Sequence, residues 1–474
     1  MSGDSPYRPA EALFPMPAER QRLDNLLTQQ LLDANRRIAA GAVTPRLDLE
    51  VFRQELAGFN FMAPLPVEET LTWAIAQLER GVTHMTHPRY FGLFNPAPTI
   101  PSQHADRITA TLNPQLATAT TSPAGVAIEA HTIRAVAQRA GFPADATGHF
   151  TTGGAEANYT ALICALTRAH PLFGADGVRA FIGAPVFYIS RESHLAWLKI
   201  AHQAGIGRNA VRLVATDGSG RMDMAALAAL IDADRRDGRI PVMLVATAGT
   251  TNAGMIDPLR RSAEIARDHG LWYHIDAAWG GGLVASDALR PRLDGIDTGD
   301  SVTIDAHKWF ATTMGCGMFI TRDPAILSSV FQVSTGYMPS NTASVDPYVT
   351  SLQWSRRFLG LRLFLSLAAA GWPGYAQHVE RAVALIVRLK ERLSAKGWRI
   401  ANDGALAVLC IEPPNGGPPA RAIVQRVLAS GQAWISVAAF EGRDIIRACI
   451  THGETTPADC DALVDALEAA ARHS

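Results

Sequence analysis

Six short apolar runs recur between residues 186 and 321, most of them separated by helix-forming stretches. They are VFYIS (186–190), VRLVA (211–215), VMLVATA (242–248), WYHIDAA (272–278), SVTID (301–305) and GMFIT (317–321). Strand, helix, strand in succession aligns neighbouring strands in one direction, because a parallel pair needs a long crossover. Near-continuous apolar runs are what strands covered on both faces require. The pattern predicts an α/β fold built on a large, mostly parallel sheet.

At 474 residues the chain exceeds one ordinary core, so two or three packed units are expected. Residues 1–85 read as a helical N-terminal segment, with apolar positions three and four apart in RQRLDNLLTQQLLDANRRIAA and an acidic first turn in VEETLTWAIAQLERG. Residues 86–356 hold the large α/β unit, and the Pro-, Thr- and Asn-rich stretch 84–123 predicts loops around a site or interface. Residues 357–474 form a smaller α/β unit: long helices to 398, then ALAVLCIE, a helix at 419–430, IIRACIT and a closing helix at 456–472.

Composition removes several function classes. Lys plus Arg (43) nearly equals Asp plus Glu (44), which gives no electrostatic reason to expect nucleic acid or an anionic membrane as partner. Five cysteines without a CxxC pair argue against a disulfide framework or a metal site, and fit a reducing compartment. The first residues show no apolar signal region, and the most apolar helix, 358–372, is interrupted by Arg362. A cytoplasmic protein without a membrane span is expected.

The chain has four lysines, and three of them (Lys199, Lys390, Lys396) lie in helical patterns that suit solvated side chains. Lys308 instead follows SVTID, just past the carboxyl end of a strand, where open α/β sheets bind ligands. Asp276 ends the strand of YHIDAAWGGG; alone it reads equally well as a turn or cap residue. In HFTTGGAEAN two glycines precede a helix, a place for a phosphate on backbone N–H groups, although such a pair more often marks a plain turn. His194 precedes another helix, where a lone histidine is commonly a cap. Taken together, an amine, a carboxylate, a phosphate cup and a flat group are the parts needed to hold pyridoxal 5'-phosphate (PLP).

HPRYFG, TSPAGVAIE, TTGGAEAN, SRESHLAW, VATAGTTNAGMIDP, HIDAAWGG and DSVTIDAHKW, in this order, resemble the group II PLP-dependent amino acid decarboxylases of fold type I. The resemblance runs from about residue 20 to the C-terminus. It implies that Lys308 forms the Schiff base, Asp276 pairs with the pyridine nitrogen, Ala278 packs under the ring and His194 stacks on it. Gly154, Ala155 and His307 fall on the phosphate side, and Thr251 near the ring. Asp305 stands where several relatives have Asn, so two anions would meet there. Tyr337, 29 residues after Lys308 (337 − 308), falls on a loop that in the family carries a tyrosine; relatives that make aldehydes often have Phe. The family also implies a homodimer completing its sites across the interface.

These expectations describe decarboxylation of an L-amino acid to its amine and CO₂, with Tyr337 reprotonating Cα and the substrate as the small-molecule partner. Phe94, Asn95 and Trp309 are the expected pocket residues, and an aromatic side chain is ranked first among substrates. Ala117 and Ala119 stand where aromatic decarboxylases are bulky, and Leu93 where animal glutamate decarboxylases have Gln. The alternatives are an aldehyde synthase or other fold type I lyase, and a non-catalytic PLP-binding relative. A nicotinamide dehydrogenase would need a GxGxxG after the first strand, which the chain lacks.

Overall fold

A computed structural model describes residues 9–333 and 346–472. Seven strands, β1 (Thr147–Thr151), β2 (Pro185–Ser190), β3 (Val211–Val214), β4 (Ile240–Thr247), β5 (Trp272–Asp276), β6 (Ser301–Asp305) and β7 (Gly317–Thr321), form one sheet in the order β1-β7-β6-β5-β4-β2-β3. The pairs from β3 to β6 are parallel; β7 alone runs against both its neighbours, β1 and β6. All six apolar runs are strands of this sheet. The carboxyl ends of β1, β2, β4, β5 and β6 therefore lie along one edge, and that edge carries the chemistry.

Both faces of the sheet are covered. On one, the helix Gly154–Ala169 packs with β4, β5, β6 and β7; its Ala157, Ala161, Leu162, Ala165 and Leu166 recur at three- and four-residue spacing and are buried. On the other, the helices Leu259–Asp268 and Pro123–Arg139 bury Leu259, Ile265, Ile133 and Val136 in a second cluster. The stretch 84–123 is less irregular than its composition suggests. Residues Ile100–Leu112 are helical, with Thr99 capping the Ser102 N–H and a proline in the first turn, where the missing donor costs nothing.

A four-stranded antiparallel sheet follows: β8 (Arg399–Ile400), β9 (Val408–Glu412), β10 (Ser436–Phe440) and β11 (Arg443–Cys449), in the order β10-β11-β9-β8. The long segment Gly360–Ser394 leads into it, broken at Gly371, whose φ of 61° suits glycine alone, ahead of Pro373. The small sheet does not own a separate core. Leu406, Val408, Ile446 and Ala448 belong to the same buried cluster as Tyr273, Ile275 and Trp279 of the large unit. Among the described residues no helix is long and apolar enough to cross a membrane; Arg362 is buried and bonds Asp106 and the carbonyls of Met314 and Gly315.

Candidate active site

Register places the polar residues. Thr247 pairs with Asp276, Asp276 with Thr303, and Gly317 lies opposite both Asp305 and Thr151. Lys308 lies one turn past β6, with its N–H bonded to the Asp305 carbonyl. Its side chain is about a fifth exposed; Nζ stands 3.0 Å from Oδ2 of Asp305 and 5.8 Å from the centre of the Phe94 ring. A reactive amine thus reaches solvent at the sheet edge while held by one carboxylate.

Asp276 is 5% exposed and its oxygens are occupied: Oδ2 accepts from the Asn158 amide at 2.9 Å and Oδ1 from the Ala278 N–H at 3.2 Å. Behind it runs an ordered chain of donors. The Trp272 indole donates to Ser301 at 2.8 Å, Ser301 lies 2.8 Å from Nδ1 of His274, and Nε2 of His274 lies 3.1 Å from the Asn158 carbonyl oxygen. Because Asn158 presents an acceptor there, His274 carries its proton on Nε2. Burial pushes the His274 pKa down to about 4, so the ring is neutral and this tautomer is the one in place. The chain ends on a carboxylate that accepts from two donors, an arrangement that suits a cationic ring nitrogen.

The glycine turn lies beside them. Gly154 opens the helix Gly154–Ala169, with Ala155 exposed next to it. Glu156 closes the turn by accepting from Thr152 N–H and hydroxyl, both at 2.7 Å. First-turn N–H groups have no partner within a helix and carry its positive end. A Cβ on Gly154 would lie 2.9 Å from an oxygen of Asp305 and 3.3 Å from Ala278, and one on Gly317 would lie 2.6 Å from the other Asp305 oxygen. These glycines keep a hollow that side chains would fill. His307 is buried at its rim, with Nδ1 3.0 Å from the Cys316 carbonyl and Nε2 3.8 Å from Asp305.

The other expected residues are placed less uniformly. His194 is exposed, and its Nδ1 accepts the Ala196 N–H at 3.1 Å, so it caps the helix Ala196–Gln203 from the carboxyl edge of β2. Thr251 is partly buried beyond β4, and its carbonyl accepts from Arg447. Asn95 donates to the Met314 sulfur. Trp309 departs from its expected role as a pocket residue: it is fully buried, packed against Gly282 and stacked on Trp279, because the chain turns inward directly after Lys308. Tyr337 lies outside the described residues. A cavity of about 600 Å³ lined by Thr99, Ala311, Ser366, Tyr375, His378 and His452 does not include Lys308.

Sequence reasoning missed Arg447. It lies on β11 of the small sheet, 1% exposed, donating to the carbonyls of Thr251 and Gly92, each at 2.8 Å, with its guanidinium 4.5 Å from the centre of Phe94. Its Nη2 is buried without a hydrogen bond, and burial depresses its pKa. Phe94 also stacks on Trp279, with ring centres 4.1 Å apart. The signal was there to use: an arginine inside the apolar run IIRACIT must have a reason to be buried. Asn158 and His274 were missed too; an asparagine deep in an alanine-rich helix was the clue.

An amine, a doubly bonded carboxylate and a glycine hollow converging on one sheet edge fit PLP. Comparison with known proteins agrees. Residues 64–411 match the pyridoxal-dependent decarboxylase conserved domain. The chain is 30% identical over 429 residues to L-2,4-diaminobutyrate decarboxylase of Rhizobium meliloti (strain 1021), covering 86% of this chain and 84% of the relative. It is 25% identical over 453 residues to aromatic-L-amino-acid decarboxylase of Bacillus atrophaeus, covering 92% of each. Among solved structures it is similar to mouse CSAD in apo form, with a TM-score of 0.91, 25% identity, and 97% and 100% of the two chains covered. With most of its length matched by that domain and by full-length relatives, the chain belongs to the pyridoxal-dependent decarboxylase family, with the fold type I architecture and PLP as its cofactor.

Proposed function

We propose that the chain decarboxylates an L-amino acid recognised through a carboxylate, with Lys308, Asp276 and the Gly154–Ala155 turn holding the cofactor and Arg447 facing the substrate. The observation that carries this reading is the buried Arg447 with an unused donor beside the Phe94 ring, which also faces Lys308. A guanidinium desolvated to this degree without an acid partner is poised for an anion. When bound, PLP supplies an electron sink for the pair left as CO₂ departs.

The protein's own contribution is positional. Asp276 holds a proton at the ring nitrogen, fixed by Asn158 and Ala278. Lys308 would be the amine that holds the cofactor aldehyde. His194, exposed at the open edge, would supply the flat group against the cofactor. Tyr337 is assigned the proton delivered to Cα, which favours an amine over an aldehyde product.

The residues that favoured an aromatic substrate no longer support it strongly. Trp309 is in the core, and the Phe94 ring is already packed against Trp279 and Arg447. The substrate's side chain is therefore left to experiment: PLP-loaded protein is offered each of the twenty amino acids and L-2,4-diaminobutyrate, CO₂ release is measured, and the product is identified by mass. No release with any of them would refute the reading. Exposed Phe14, Met16, Leu31, Leu32, Phe61 and Met62 in the N-terminal helical segment suit a second copy of the chain, as a homodimer requires. The buried, unpaired state of all five cysteines suits the reducing cytoplasm.

A further inference from the structure

Asp305 is a buried acid that the binding of a phosphorylated cofactor does not call for. It ends β6 at 3% exposure, and its backbone is fixed by the Ala278 carbonyl on one side and the Lys308 N–H on the other. The carboxylate projects into the glycine hollow. Oδ2 faces Lys308 at 3.0 Å and His307 at 3.8 Å, while Oδ1 is buried without a hydrogen bond. Positions 154 and 317 crowd both oxygens so closely that neither glycine could carry a Cβ without displacing the carboxylate. The walls otherwise contributed by β1, β5 and β7 at this point are Thr151, Ala278 and Gly317, none of them charged. Among the described residues, the cationic side chains within 4.0 Å of Asp305 are Lys308 and His307.

An orphaned, buried carboxylate oxygen in a hollow at a helix N-terminus has a direct consequence for an incoming phosphate. The helix end favours any anion, and Asp305 already occupies part of that field. Lys308 and His307 are the basic side chains placed to offset it, at 3.0 and 3.8 Å.

We propose that Asp305 is a built-in brake on cofactor retention: a carboxylate in the wall of the phosphate hollow that opposes the phosphate, with His307 offsetting it. The protein then holds its cofactor more loosely than its glycine turn and helix end would allow, and exchanges it more readily. The inference rests on the phosphate lying at the Gly154–Ala155 turn, so its test begins by checking that placement.

Full-length protein without cofactor is titrated with inorganic phosphate and, separately, with PLP followed by its absorbance band; phosphate is then used to compete with PLP. In the wild type the two compete. Asp305→Asn and Asp305→Ser both tighten phosphate and PLP by at least roughly tenfold, the lower end of what removing a like charge a few ångströms away yields once solvent screens it. Pyridoxal, which lacks the phosphate, gains much less. His307→Asn weakens phosphate in the wild type and less so in the Asp305→Asn background, because there is then no carboxylate to offset. Failure of phosphate to compete with PLP overturns the placement, and the inference with it. Competition in the wild type with unchanged or weaker phosphate binding in both Asp305 variants overturns the inference alone. Tightening by Asn but not by Ser also overturns it, since the gain would then be a new hydrogen bond and not a lost charge.

Discussion

The Asn158 side chain joins two residues that sequence order keeps far apart: its amide donates to Asp276 at 2.9 Å and its carbonyl accepts from His274 at 3.1 Å. A single asparagine therefore orients the acid proposed to meet the cofactor ring and is itself oriented by a neutral histidine. Its position one helical turn beyond Gly154 ties the glycine hollow to the buried Asp276 through one helix.

Asn158→Leu removes a donor from a buried carboxylate. A hydrogen bond to a charged group contributes about 1.5–3 kcal/mol, so kcat should fall by roughly ten- to a hundredfold. The PLP absorbance band of the variant should shift in its pH dependence, a readout that mere loosening of the helix would not move. An unchanged kcat would show that Asp276 needs no such support.

Lys308→Ala should abolish CO₂ release and the adduct that borohydride traps in the wild type. Retained turnover would remove this lysine from the chemistry.

Arg447→Met should raise KM for the substrate by at least roughly tenfold, the loss of one buried charge-assisted contact. Arg447→Lys should not restore it, since an ammonium cannot reach the Thr251 and Gly92 carbonyls and keep a donor for the substrate. Unaltered KM in both variants would confine Arg447 to a structural role.

Tyr337→Phe should divert product from amine to aldehyde, detected as ammonia and H₂O₂. An undiminished amine yield would take Tyr337 out of the protonation step.

Acid should destabilise the fold through its buried imidazoles. Burial lowers His274 to about 4 and His149 to about 3, against 6.5 in the unfolded chain. Below pH 6.5 the unfolded state takes up protons that these two folded rings refuse, so stability is intact above 6.5 and falls as pH drops toward 4. At pH 5 each ring costs on the order of 2 kcal/mol. Urea midpoints at pH 7.5 and pH 5 check this, and equal midpoints would contradict it.

The strands of the large sheet were legible because parallel strands must be apolar on both faces, and Lys308 and Asp276 because they sit where such strands end. The helix Ile100–Leu112 was hidden by proline and threonine, residues that suit a helix start as well as a loop. Trp309 misled for a different reason. Adjacency to Lys308 in sequence says nothing about direction, and the turn points it into the core. Arg447 lies 139 residues beyond Lys308 (447 − 308) on another sheet, and only tertiary structure brings both to the Phe94 ring.

The small sheet shares its interior with the large unit and sends Arg447 across to the carbonyls of Gly92 and Thr251. The carboxyl-terminal quarter is thus not an interchangeable module. A chimaera that grafted this quarter from a relative would have to bring matching partners at 92, 94 and 251, or it would lose the seam that holds Arg447 in place.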